Sequence, residues 1–269
     1  VQEGYDVVIL EGRDRIGGRI HTVALNGTPL DLGATWIRGT KGNPIYALAS
    51  QHNIKTIPYD DDSIDVFSTE GQLLNATQMK DLNEIEEILY DTIEAQQENQ
   101  DEDMSLYDAL TPWVSSLSSR DQLWAKYKLS SEIELDYAAD AKDLSLYYFD
   151  SDSQFSGDDL IVPDGYKQLI DVLAQDLNIL TNQKVLRIDY DDNHVTVATT
   201  KGIFQARYAI CTIPLGVLKS DQAPTFTPPL PIEKQMAIRH LKMSILHKKN
   251  RKKEDVFFSS IKKLYKNKY

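Results

Sequence analysis

The chain has 269 residues, 41% of them hydrophobic and 26% charged, which is enough for one large domain or two modest ones. No run of about 18 apolar residues occurs, so no membrane-spanning helix is predicted, and the single cysteine, Cys211, excludes an internal disulfide. The net charge of −12 is uneven: residues 247–269 carry nine Lys/Arg against two acids, which leaves −19 on the body. Such a body attracts polycations and argues against direct nucleic-acid binding, although a solvated acidic surface explains the same balance.

Residues 4–10 read as the end of a helix followed by a buried strand. Glu11 ends that strand, and a basic loop with Arg13, Arg15, Gly17, Gly18 and Arg19 follows. In a dinucleotide-binding βαβ unit, an acid at the end of the second strand accepts from ribose hydroxyls, and the glycine-rich turn lies about 20 residues earlier. That position precedes Val1. Guanidinium groups fit phosphate oxygens bidentately, and glycines admit positive φ and close approach of the main chain to a ligand. Arg15 reads as a surface charge.

Asn26-Gly27 predicts a hairpin turn within residues 25–32. A helix over 44–51 leads into a strand over 55–59. Residues 63–67 and 72–74 form a hairpin around Glu70-Gly71. Leu82, Ile85, Ile88, Leu89 and Ile93 recur at helical spacing and predict a helix over 79–97 with an acidic outer face. Ser105 caps a further helix, and more helices fill 120–137. After residues 158–166 come an amphipathic helix (166–177) and a meander of strands (184–190, 194–199, 203–206). Residues 208–213 read as one more buried strand with Cys211 inside it, ended by Pro214. Pro224, Pro228, Pro229 and Pro231 mark a linker, and 232–241 is helical. The five histidines are scattered without ligand spacing.

Two blocks carry a resemblance. VILEGRDRIGGRIHT with LDLGATWIRG (residues 8–22 and 30–39) resembles the flavin-containing amine oxidases, which include polyamine oxidases, monoamine oxidases and lysine-specific histone demethylases. TIPLGVLKSDQAPTFTPPLPIEKQMAIRHL (212–241) is similar to the polyamine oxidase and histone demethylase branch. The likeness covers residues 1–248. It implies an α/β, FAD-binding Rossmann-like fold, here lacking its first strand and C-terminal part, with an inserted, mainly helical substrate domain. The implied boundaries are 1–57 and 158–230 for the FAD-binding domain, 58–157 for the substrate domain, 231–247 for the return to it, and 248–269 for an atypical basic tail. The implied reaction is oxidation of a C–N bond of an amine, a polyamine foremost, with oxygen reduced to hydrogen peroxide.

The resemblance also implies roles for individual residues. Glu11 binds the ribose, Arg13 lies near the adenosine, and Gly18 and Arg19 meet the pyrophosphate. Gly33, Ala34, Thr35 and Trp36 match the segment beside the flavin ring, and the main chain of Val185 matches the adenine contact. Thr212 and Pro214 resemble a segment passing near the flavin. Lys248, five residues after Met243, matches the lysine that holds a water at the flavin, although the apolar strand that follows it in the family is replaced by Lys249-Asn250-Arg251-Lys252-Lys253. Arg38 is another departure, because several polyamine oxidases carry an acid or a histidine there, and a cation opposes a polycationic substrate.

The glycine-rich turn, the C-terminal FAD motif and the family's substrate-sandwiching aromatic pair are not found. The Lys/Asn/Ile/Tyr/Phe bias of the tail resembles translated AT-rich non-coding sequence, so an incomplete gene model and a genuine basic tail are both open. Three readings stand: a polyamine-type amine oxidase, a histone demethylase-like flavin enzyme, and a non-catalytic remnant that holds no FAD.

Overall fold

Strand β1 (Val8–Leu10) opens the structure, a computed structural model that describes residues 4–59, 64–151 and 153–244. It pairs in parallel with β7 (Asn178–Leu180), in the register Val8 to Asn178 and Leu10 to Leu180. The predicted strand is present, but it is not buried: Val8 and Ile9 remain 39% and 37% exposed. Only one neighbouring strand covers it among the described residues.

Strands β2 (Thr22–Leu25) and β3 (Thr28–Asp31) form the hairpin that Asn26-Gly27 predicts. Both turn residues take positive φ, 52° and 82°, as a two-residue primed turn requires. Strand β4 (Trp36–Ile37) and helix α1 (Pro44–Gln51) follow, and the Asn43 side chain caps α1 by accepting from the N–H groups of Ile45 and Tyr46. Strand β5 (Ile57–Pro58) then ends the first part of the chain.

A helical block comes next. Helix α2 (Ala76–Asn99) has a full capping box between Asn75 and Gln78, and its apolar face is Leu82, Ile85, Leu89 and Ile93. Ser105 starts α3 (Leu106–Ser116) and Ser118 starts α4 (Ser119–Lys128), each accepting from the N–H three residues on. A π-helical stretch (Leu129–Glu134) runs into α5 (Leu135–Tyr137), and a 3₁₀ turn (Ala141–Asp143) closes the block. Leu89, Ile93, Leu106, Leu110, Ile133 and Leu146 form its core.

The chain returns at β6 (Leu160–Ile161), which lies between β4 and β5 in one antiparallel sheet. A second core therefore joins residues from both sides of the helical block: Ile37, Ala49 and Ile54 pack with Leu160, Val162 and Leu169. Helix α6 (Lys167–Leu173) is shorter than the predicted 166–177, ending at Ala174, and residues 178–180 form β7. Strands β8 (Val185–Tyr190), β9 (Val195–Thr199) and β10 (Ile203–Ala206) make the predicted meander.

One expectation fails. Residues 208–213 form no strand and are not buried: Ile210 is 92% exposed, Tyr208 is 73% exposed and Cys211 is exposed. The apolar pattern is that of a buried strand, but no described strand pairs with it. Past this segment, α7 (Leu215–Leu218) precedes β11 (Thr225–Thr227), which adds to β8 in parallel. Helix α8 (Ile232–His240) follows, and the Lys219 ammonium donates to the carbonyls of Ile238, Arg239 and Leu241 at its end. No described helix is long and apolar enough to cross a membrane.

Candidate cofactor-binding site

Glu11 sits where β1 ends, half-buried, with its N–H on the carbonyl of Leu180 at 2.9 Å. Its carbonyl accepts from Gln183 at 2.8 Å, and the Arg13 carbonyl accepts from Asn182 at 2.7 Å. The β1 end is thus laced to the β7–β8 connection. Gly12 passes against the main chain of Lys184, and Val185 begins β8 beside it. The structure therefore brings Glu11 and Arg13 against residues 182–184, which are far away in sequence and lead directly into Val185. Glu11 Oε1 accepts the Arg13 N–H at 2.7 Å, and among the described residues Oε2 accepts nothing.

The loop that follows is folded by its own groups. Gly17 and Gly18 both take positive φ, 97° and 55°. A Cβ on Gly17 would stand 2.7 Å from the Ile20 carbonyl oxygen, so the turn excludes a side chain on steric and torsional grounds alike. The Gly17 carbonyl accepts from Ile20 at 2.8 Å, and the Arg19 carbonyl accepts from Ala34 at 3.2 Å. The segment from Gly33 to Trp36 is thereby stitched to Arg19. A Cβ on Gly33 would overlap the Arg19 carbonyl oxygen, so Gly33 is small because main chain crosses it there. The side chains of Arg13 and Arg19 are exposed.

Thr35 donates to the Gly33 carbonyl at 3.2 Å. Trp36 is half-buried in β4, with its ring 5.7 Å from that of Tyr59 and 5.1 Å from the Arg38 guanidinium carbon. Arg38 is not an uncompensated cation: its Nη1 lies 2.5 Å from Asp159, whose other oxygen accepts the Gly39 N–H at 2.8 Å. Thr212 and Pro214 lie in the exposed segment before α7, and Lys248 lies outside the described residues. No group of three or more metal-ligating side chains occurs among the described residues.

The donor set suits a dinucleotide. A carboxylate oxygen is available for a ribose hydroxyl, two guanidinium groups are exposed for phosphate, and the loop between them is curled by two glycines. The chain matches the family model described as flavin containing amine oxidoreductase over residues 1–248. It belongs to that family. FAD is the cofactor that the family implies. The chain is 34% identical to polyamine oxidase 4 of Oryza sativa subsp. japonica, over 97% of this chain and 56% of that relative. It is 30% identical to polyamine oxidase 2 of Arabidopsis thaliana, over 96% and 56%. Lysine-specific histone demethylase 1 homolog 1 of Arabidopsis thaliana is 29% identical, over 91% of this chain and 31% of the relative. The chain spans about half the length of the polyamine oxidases it matches.

The sequence reading missed what Gln183 and Lys184 contribute. The Gln183 N–H bonds the Glu11 carbonyl and the Lys184 main chain lies against Gly12, and a backbone hydrogen bond leaves no trace in residue type. It also missed β7, whose three residues are too few to show a period.

Proposed function

We propose that this chain supplies the nucleotide-binding part of an FAD site, and part of a substrate domain, in an amine oxidase that acts on polyamines. Bound FAD supplies a two-electron acceptor for a hydride from the carbon beside an amine nitrogen, with oxygen then reduced to peroxide. Glu11 accepts from ribose hydroxyls through the oxygen not used by Arg13 N–H. Arg13 and the main chain of Val185 flank the adenosine, and Gly18 and Arg19 face the pyrophosphate. Gly33, Ala34, Thr35 and Trp36 run beside the flavin ring, held there by Arg19. Lys248 is the lysine assigned to holding a water at the flavin. The helical block between β5 and β6, with its own core, corresponds to the substrate domain.

One observation carries this reading: Glu11 and Arg19 are joined by a double-glycine loop at the end of a parallel strand, beside the start of β8. The polyamine assignment rests on the relatives' names and on the strongly acidic body, whose field draws in polycations. Titration of the 269-residue chain with FAD, followed by flavin fluorescence, tests the site. Weak, saturable binding that is lost in Glu11→Gln and Arg19→Gln is expected, and equal binding by all three proteins overturns the assignment. The 269-residue chain alone is expected to turn over no amine. Peroxide release by the full-length protein from spermine, set against a methylated histone peptide, decides between polyamine and peptidyl-lysine substrates.

A further inference from the structure

Arg15 is half-buried, and its guanidinium is spent on main chain. Nη2 donates to the Gly18 carbonyl at 3.0 Å, and Nη1 donates to the carbonyls of Ile16 and Ile20 at 3.3 and 3.4 Å. The carbonyls of Gly17 and Arg19 are taken by Ile20 N–H and Ala34 N–H. Five consecutive carbonyls, from Ile16 to Ile20, therefore all accept from within the protein. The N–H groups between them are treated differently. Among the described residues, those of Gly17, Gly18 and Arg19 donate to nothing.

A loop whose carbonyls are consumed and whose N–H groups are left over is polarised. It presents partial positive charge outward, as an anion cradle does. We infer that Arg15 is a positioning residue, whose guanidinium draws three carbonyls inward and so holds the N–H groups of Gly17, Gly18 and Arg19 outward for a diphosphate. This rests on the proposed FAD site and adds to it a residue that touches no ligand. A planar fork with five donors suits the task. A lysine ammonium donates from one atom, whereas Arg15 reaches the Gly18 carbonyl from Nη2 and the Ile16 and Ile20 carbonyls from Nη1, so a lysine does not reproduce this spacing.

The test uses ADP as the probe on the 269-residue chain, with calorimetric titration and residue-resolved amide exchange on wild type, Arg15→Lys, Arg15→Gln and the remote charge control Arg120→Gln. About tenfold weaker ADP binding in both Arg15 variants is expected, with faster exchange confined to the Ile20 and Ala34 amides, which bond the Gly17 and Arg19 carbonyls, and the control unchanged. Arg15→Lys keeps the net charge, so its loss separates geometry from field. ADP binding equal to wild type in Arg15→Lys and Arg15→Gln overturns the inference and leaves the site standing. Exchange that rises throughout the protein overturns it as well, since Arg15 is then a general stability element. A wild type that binds no ADP overturns the site reading itself, and this inference with it.

Discussion

Lys128 is 4% exposed at the junction of α4 and the π-helical stretch, with its ammonium 2.5 Å from Glu86 and 3.4 Å from Glu132. Burial works to lower its pKa, but the hydrogen bond and charge of Glu86, joined by the charge of Glu132, outweigh that and raise it above 10.5. Nearby, burial and the charges of Glu86 and Glu132 push the Tyr90 phenol up to about 12. Both groups bind protons more tightly in the fold than in the unfolded chain. Their contribution to stability is therefore complete below about pH 10 and falls as pH rises through the folded values. Thermal unfolding is expected to drop above that pH, with the tyrosine share missing in Tyr90→Phe. Lys128→Met strands two carboxylates, and an urea titration is expected to show a loss of about 2–3 kcal/mol, below the figure for a fully buried pair because both acids keep some water.

At the scale of elements, polar caps set where the helices begin. Ser105 accepts the Asp108 N–H at 3.1 Å, and its hydroxyl donates to the Asp108 carboxylate at 2.7 Å. Ser105→Ala is expected to cost about 1 kcal/mol in chemical denaturation. The hairpin β2–β3 does a similar job for α6 from a distance: Asp31 accepts the Tyr166 N–H at 3.1 Å, and the Thr22 hydroxyl accepts the Lys167 N–H at 3.0 Å. The hairpin was legible because Asn-Gly turns have few alternatives. Its docking on α6 was not, because the partners are more than 130 residues apart. The π-helical stretch, with Ile133 fully buried in the helical core, was equally hidden, since residue type does not distinguish one extra residue per turn.

At the scale of the molecule, apolar side chains remain uncovered along β1 and residues 208–213. Cys211 in this segment is expected to react with a chromogenic thiol reagent in the native chain, one equivalent within a few-fold of the rate in denaturant. Slow labelling limited by unfolding would show the segment to be covered.

The sequence by itself determined the helices with a strong apolar period, the Asn-Gly hairpin, the three-stranded meander and the family, because each is written in local pattern or in contiguous motifs. It named Glu11, Arg19 and Gly33 but could not say what holds them. Tertiary structure alone decided that Gln183 bonds the Glu11 main chain, that Asp159 pairs with Arg38, and that Arg15 gathers carbonyls rather than facing solvent. It also decided that residues 208–213 lie exposed. Those outcomes depend on main-chain hydrogen bonds and on pairings between distant segments, neither of which constrains residue type enough to be read in advance.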